Sequence, residues 1–151
     1  MAALLIIAVF LGVHAACGWR CIPGGPCDVS IDDSSVQQAA LSAAVSFNNQ
    51  SNDSFLFRPE HVIKAQKQVV KGIRFLVDLN LCRTMCRKRD KAKNLSDCGL
   101  QPPGPLHQVF RCHVEVWDVP WSHHSIIQRL SCKTLSSAAQ RSESQPVRDS
   151  D

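Results

Sequence analysis

One helix pattern followed only by strand patterns decides which fold this chain can adopt. Residues 32–35 offer N-cap oxygens and negative charge for a helix start, and residues 48–52, rich in Asn and Ser, are expected to end the helix. Between these limits one helical stripe is lined mostly with alanine, so the helix can lie close against a sheet. The stripe consists of Val36, Ala39, Ala40, Ala43, Ala44 and Phe47.

Beyond the helix the sequence indicates strands only. Residues 73–82 alternate between two faces with a period of two, which is the clearest strand signal in the chain. A helix followed by a run of strands predicts an α+β fold, in which an antiparallel β-sheet wraps around one long α-helix. The other strands are expected at residues 55–57, then after an interruption at Pro59 at residues 62–68, and at residues 110–117 and 126–132.

The first residues predict a secretory leader. Residues 4–11 form an uncharged apolar run, and Val13 and Ala15 occupy the two positions that a signal peptidase reads. The run is shorter than the roughly 20 residues that a bilayer-spanning helix needs, so no membrane association is expected. We therefore expect a signal peptide at 1–15, a single folded domain at 16–133 and a polar, disordered tail at 134–151. The expected localisation is secreted, with retention in endolysosomes as a further option.

Export gives the eight cysteines of the chain a structural role. An even number of cysteines in an oxidising compartment predicts disulfides rather than a metal site, so neither a metal nor another cofactor is expected. Three sequons predict glycosylation at Asn49, Asn52 and Asn94. The net charge is +4, and the basic cluster at residues 87–93 has no interleaved aromatic residues to stack on bases. Nucleic acid is therefore not an expected partner.

Exposed apolar residues are expected at two chain reversals and in the segment before the helix. Residues 68–72 lie between two strong strands and must form a hairpin tip, where Gly72 permits the positive φ of a tight reversal. A tryptophan on a proline-stiffened turn at residues 120–121 is typical of an interface anchor. Residues 22–26 are an apolar pair followed by a flexible hinge. The candidate contact residues are Ile22, Pro23, Gly24, Gln68, Val69, Val70, Lys71, Gly72, Pro120 and Trp121.

This combination of motifs resembles the type-2 cystatin family. Residues 68–72 match the cystatin Gln-x-Val-x-Gly loop, residues 120–121 match the second loop, and Gly24 matches the N-terminal glycine, within a similarity that covers roughly residues 22–133. The resemblance implies reversible, tight-binding inhibition of papain-like cysteine proteases, the cathepsins among them. The two hairpin tips and the N-terminal strand would form a wedge that fills the protease cleft.

The resemblance also implies two disulfides, Cys86–Cys98 and Cys112–Cys132, and leaves four cysteines whose pairing is open. One alternative is a bond between Cys21 and Cys27. Another is a bond from an N-terminal cysteine to Cys82 of a second chain, which would give a disulfide-linked homodimer. An intrachain bond to Cys82 is not expected, because an extended strand places it about 33 Å from the hairpin tip. The four surplus cysteines are Cys17, Cys21, Cys27 and Cys82.

A second inhibitory site is suggested by Ser51, Asn52 and Asp53. These residues match the segment through which some cystatins inhibit legumain-like asparaginyl endopeptidases, so legumain is a second candidate partner. The alternative is a surface turn that carries a glycan, since Asn52 is itself a sequon residue.

Other functions fit the sequence less well. Cys112 and His113 are adjacent on a strand and would point to opposite faces, so they cannot pair as nucleophile and base. No catalytic residue is therefore assigned, and no enzymatic activity is expected. Zinc held by Cys82, Cys86 and Cys98 would need reduced thiols, which export disfavours. A non-inhibitory cystatin-fold precursor of the cathelicidin type remains the alternative, although it would lack the Gln-x-Val-x-Gly loop and would end in a cationic peptide.

Overall fold

The computed structural model describes residues 21–90 and 94–135 of the chain. The expected signal peptide at residues 1–15 and residues 136–151 of the expected tail lie outside these residues. Within the described residues, the main elements in chain order are β1 (Cys27–Asp28), α1 (Ser34–Gln50), β2 (Phe55–Val69), β3 (Ile73–Arg87), β4 (Val109–Val119) and β5 (His124–Thr134).

Helix α1 begins and ends within the limits that the sequence predicts. The Asp33 carboxylate accepts a hydrogen bond from the Ser35 backbone N–H at 2.8 Å and caps the first turn. The alanine-lined stripe is buried, and Phe47 packs against the same core. The helix runs to Gln50, within the expected end at residues 48–52, and Asn48 is buried on this stripe. The Asn48 amide donates to the Phe57 carbonyl and accepts from the Phe57 N–H, each at 2.8 Å, which ties the helix to β2.

The strands form one antiparallel sheet in the order β1-β2-β3-β4-β5, which confirms the predicted α+β fold. The core lies between this sheet and α1, where the rings of Phe47, Phe57 and Phe110 meet with centroids 4.9 to 5.4 Å apart. Strand β5 extends to Thr134, one residue into the expected tail. In the described part of the chain, no helix is long and apolar enough to cross a bilayer.

Pro59 does not interrupt its strand, contrary to the sequence-based expectation. Strand β2 is continuous over Phe55–Val69, Pro59 pairs with Leu81, and the register shifts between Pro59 and His61. The short strand β1, which the sequence did not predict, pairs only with residues 66–67. At Pro59, β2 is therefore an outer strand of the sheet, and the missing N–H of proline costs no ladder hydrogen bond there.

Candidate functional site

Three segments of the chain meet at one edge of the sheet, which we call the tip edge. The turn at residues 70–72 joins β2 to β3, the turn at residues 120–123 joins β4 to β5, and β1 pairs with β2 close to its end. Because β3 and β4 are antiparallel and Ile73 lies opposite Asp118, the two turns are neighbours. The ten expected contact residues lie in the two turns, at the end of β2 that leads into the first turn, and in the segment directly before β1.

The first turn presents two valines to solvent. Val69 and Val70 are 65% and 49% exposed, and the Val70 N–H donates to the Gly72 carbonyl at 3.1 Å. Gly72 has a φ of +129°, and Lys71 is left-handed as well, with a φ of +48°. The sequence indicates the glycine but not the strained lysine, since a non-glycine residue carries no local signal for positive φ. Two large apolar groups therefore protrude from a stiff turn.

The second turn presents a tryptophan. Pro120 begins a single 3-10 turn, Pro120–Ser122, and His123 ends it in the left-handed region with a φ of +50°. The Ser122 hydroxyl donates to the Val119 carbonyl at 3.2 Å. Trp121 is 73% exposed. An indole ring held this far out of the fold contributes little to folding and is available for contact with another molecule.

Gly72 also fixes the two turns against each other. A methyl group at Gly72 would lie 2.8 Å from the Asp118 carbonyl oxygen and 2.8 Å from Trp117 Nε1. Real Cβ atoms do not approach other atoms this closely, so any side chain at this position would push the second turn away from the first. The sequence indicates a conformational need for glycine here, whereas the structure adds a steric one.

The N-terminal segment is held in a ring rather than a flexible hinge. Cys21 and Cys27 form a disulfide, which selects one of the two alternatives that the sequence left open. Inside the ring, the Gly25 N–H donates to the Ile22 carbonyl at 2.8 Å, and Gly24 has a φ of +79°. Ile22 lies on this turn and is 77% exposed.

An ion pair lies behind the tips. Arg74 on β3 bonds Glu115 on β4, and Glu115 is buried. Burial raises the pKa of the Glu115 carboxyl, but the hydrogen bonds and charges of Arg74 and His113 together outweigh it, so the pKa lies below its usual value. Glu115 therefore stays ionised at neutral pH and ties β3 to β4 beneath the two turns.

The tip edge offers contact surface and no reactive group. Among residues 21–90 and 94–135, no three His, Cys, Asp or Glu side chains converge as metal ligands. Cys112 is bonded to Cys132, and His113 instead contacts Asp78, with Nδ1 2.6 Å from the carboxylate. The exposed groups at the edge include large apolar side chains on rigid turns, an arrangement suited to burial against a partner.

Comparison with known proteins identifies the family. The family model described as Cystatin domain matches residues 24–121, from the N-terminal glycine to the exposed tryptophan. The chain belongs to the cystatin family. Human cystatin-F is 37% identical to this cystatin over 113 residues, which are 75% of this chain and 77% of that protein. Human cystatin-C is 31% identical over 135 residues, 86% of this chain and 91% of that protein.

The solved structures agree with the sequence relatives. The crystal structure of dimeric human cystatin F has a TM-score of 0.71 to this cystatin at 34% identity, with 83% of this chain and 98% of that chain covered. Within the family, residues 47–57 also resemble cystatin F, although Gln50 stands where cystatin F has a cysteine. Cystatins inhibit cysteine proteases and are not enzymes, and the cystatin homologues of this chain are secreted proteins. Membership therefore supports a role in cysteine protease inhibition.

The remaining cysteines of this cystatin are placed as follows. Cys86 bonds Cys98, and Cys112 bonds Cys132, the two pairs that the resemblance implies. Cys82 is free and fully buried. Burial and a hydrogen bond to Glu60, with Sγ 2.7 Å from the carboxylate, raise the pKa of the Cys82 thiol. Such a thiol is unreactive, so the interchain bond from an N-terminal cysteine to Cys82 does not fit this structure. Cys17 lies outside the described residues.

The segment suggested as a second site lies far from the tip edge. Ser51 caps the end of α1, and its hydroxyl accepts from the Asp53 N–H at 3.0 Å. The Asp53 carboxylate accepts from the Phe55 N–H at 2.9 Å and pairs with Arg83. Asn52 is exposed between these two anchored residues. The segment is therefore an ordered turn that presents one asparagine to solvent.

Proposed function

We propose that this cystatin is a reversible, tight-binding wedge inhibitor of papain-like cysteine proteases, the cathepsins among them. The observation that carries the proposal is the tip edge, where Ile22, Val69, Val70 and Trp121 are exposed side by side on stiff turns. The remaining expected contact residues supply the backbone of the same segments. They are Pro23, Gly24, Gln68, Lys71, Gly72 and Pro120.

Burial of these side chains is enough to explain tight binding. Each large apolar side chain contributes about 1.5–3 kcal/mol when it leaves water, and protease–inhibitor interfaces bury about 1,600 Å² in total. The disulfide ring, the positive-φ turns and the Arg74–Glu115 ion pair hold the edge in one arrangement. A surface that is rigid before binding loses little conformational entropy on docking. Sub-nanomolar affinity is therefore expected.

The test is a titration of the refolded protein against active-site-titrated papain and several cathepsins. We expect one molecule of inhibitor to block one molecule of protease, full recovery of activity on dilution, and an intact inhibitor chain on a gel. A cysteine protease of unrelated fold serves as the control and should keep its activity. Papain that remains fully active at micromolar inhibitor would contradict the proposal.

We also propose inhibition of legumain-like asparaginyl endopeptidase through Ser51, Asn52 and Asp53. What supports it is the ordered turn that leaves Asn52 exposed while both neighbours are anchored. The turn precedes Phe55, whereas the tip edge follows Val69, which is roughly 45 Å away along β2 at 3.3 Å per residue. The two sites would therefore act independently.

Replacing Asn52 with glutamine is expected to abolish inhibition of asparaginyl endopeptidase and to leave papain inhibition unchanged. The added methylene moves the amide away from the position that a pocket for asparagine accepts. Because Asn52 begins a sequon, Ser54→Ala is the matched control, since it removes the glycan acceptor signal and keeps the asparagine. Inhibition constants for both proteases are measured on all three proteins. Equal inhibition of the asparaginyl endopeptidase by Asn52→Gln and the parent would contradict the second site.

Secretion and glycosylation belong to the same proposal. Asn49, Asn52 and Asn94 are all exposed, as an oligosaccharide requires, and a glycan on Asn52 would cover the second site. Secretion, with or without retention in endolysosomes, would bring the inhibitor to the cathepsins.

A homodimer and a non-inhibitory role are the remaining options. Human cystatin F has been solved as a dimer. Here Cys21 and Cys27 are bonded to each other and Cys82 is buried, so none of these three cysteines can form a covalent dimer without rearrangement. The cathelicidin-type alternative gives no reason for the exposed side chains of the tip edge, so inhibition is the function we favour.

A further inference from the structure

The ring closed by Cys21 and Cys27 contains a tight turn. The disulfide joins residues six positions apart, and the Gly25 N–H donates to the Ile22 carbonyl at 2.8 Å within it. Gly24 has a φ of +79° but has no atom within 4 Å of the position of a Cβ. The glycine is therefore needed for the backbone conformation of the turn alone. Ile22 lies at the start of this turn with its side chain in solvent.

The ring is attached to the end of β2 at several points. Cys27 pairs with Lys67 in the sheet, and just beyond it the Val29 N–H donates to the Ala65 carbonyl at 3.1 Å. Two side chains of β2 add to this attachment. The Gln66 amide donates to the Asp28 carboxylate at 2.8 Å, and the Gln68 amide donates to the Gly24 carbonyl inside the ring, also at 2.8 Å.

These bonds connect the ring directly to the first turn. Gln68 immediately precedes Val69, so the side chain that reaches Gly24 belongs to the strand end that carries the exposed valines. An N-terminal segment without a ring would have to order its backbone on binding, at about 1–2 kcal/mol for each residue fixed. In this chain the disulfide and the Gln68 hydrogen bond supply much of that order in advance.

We propose that the Cys21–Cys27 ring is a positioning device that presents Ile22, beside Val69 and Val70, to an apolar subsite of the protease cleft. The inference rests on the proposed function, because it concerns how the same wedge reaches its affinity. Cys21 and Cys27 act through Ile22 and need not touch the protease themselves. The ring is thus a part of the tip edge, whereas the disulfides Cys86–Cys98 and Cys112–Cys132 lie elsewhere in the domain.

The test is a double-mutant cycle on the full chain, measured by binding kinetics with papain. The reducing agent that activates papain is removed before the measurement, so that the Cys21–Cys27 disulfide stays intact. The four proteins are the parent, C21S/C27S, Ile22→Ala and the triple variant. We expect C21S/C27S to raise Kd about tenfold or more, mainly through faster dissociation. In the Ile22→Ala background the same change should raise Kd less than about threefold, because the group that the ring positions is gone.

Each outcome is decisive. If the ring is merely structural, C21S/C27S should unfold at a lower temperature, and its effect on Kd should not depend on Ile22. If the ring positions Ile22, C21S/C27S should unfold within a few degrees of the parent, and its effect on Kd should shrink in the Ile22→Ala background. If the parent does not bind papain, the proposed function fails. If the parent binds and C21S/C27S binds equally well, or its effect is the same in both backgrounds, the ring proposal is overturned and the function stands. A C21S/C27S protein that cannot fold would also overturn it, because the ring lies outside the core.

Discussion

Replacing Trp121 with alanine is expected to weaken papain binding by about 2 kcal/mol or more, which is roughly a 30-fold rise in Kd. The indole ring is 73% exposed in the free protein, so the substitution removes little that stabilises the fold. A tryptophan that becomes buried against a protease removes about 150–250 Å² of surface from water. The loss should therefore fall on binding and not on folding.

The measurement is the equilibrium inhibition constant, together with thermal unfolding of each protein. Met85→Ala is the matched control, because Met85 is also a large exposed apolar residue but lies on β3 away from the tip edge. We expect Met85→Ala to inhibit like the parent. An unchanged inhibition constant for Trp121→Ala would show that the second turn does not enter the protease cleft.

Replacing Gly72 with alanine is expected to damage both stability and inhibition. A φ of +129° is open almost only to glycine, and a non-glycine residue held in such a region costs about 1–3 kcal/mol. The new methyl group would also meet the Asp118 carbonyl oxygen and Trp117 Nε1 at 2.8 Å. Relief of that clash moves the two turns apart, so we expect the inhibition constant to rise by about a hundredfold or more, or roughly 2.7 kcal/mol.

The Gly104→Ala variant separates the effect of backbone strain from the effect of the steric clash between the two turns. Gly104 also has a positive φ, +153°, but nothing lies within 4 Å of its Cβ position, and it lies outside the tip edge. The Gly104→Ala variant should therefore lose some stability and inhibit papain as well as the parent does. Urea unfolding and papain titration of both variants provide the comparison. Full inhibition by folded Gly72→Ala would mean that the spacing of the two turns is not important for binding.

The two exposed turns of the tip edge could be predicted from the sequence because their signals are local. A glycine between two alternating strands indicates a tight reversal, and a proline followed by tryptophan indicates a stiff, exposed turn. The alanine stripe likewise identified the helix and the face that it buries. Each of these inferences depends on residues within one or two turns of chain, for which conformational preference and burial pattern are informative.

Errors occurred where a distant residue decides the local outcome. The end of α1 within residues 48–52 was predicted correctly, but the two hydrogen bonds between Asn48 and Phe57, nine positions later, were not. Pro59 suggests a break, yet the strand continues because β1 is too short to reach it and leaves that edge of the sheet open. Both features depend on tertiary packing, and no local pattern in the sequence indicates that packing.

The sequence alone therefore determined the α+β class, the order of the helix and the long strands, and the two turns that carry exposed apolar residues. Periodicity and turn chemistry depend on neighbouring positions, which is why the sequence shows them. Only the tertiary structure decided how three of the four surplus cysteines are used, since a disulfide depends on which sulfur atoms meet in space. It brought Cys21 to Cys27, buried Cys82 beside Glu60 and joined Gln68 to Gly24. Those contacts turn an expected flexible segment into a fixed part of the tip edge.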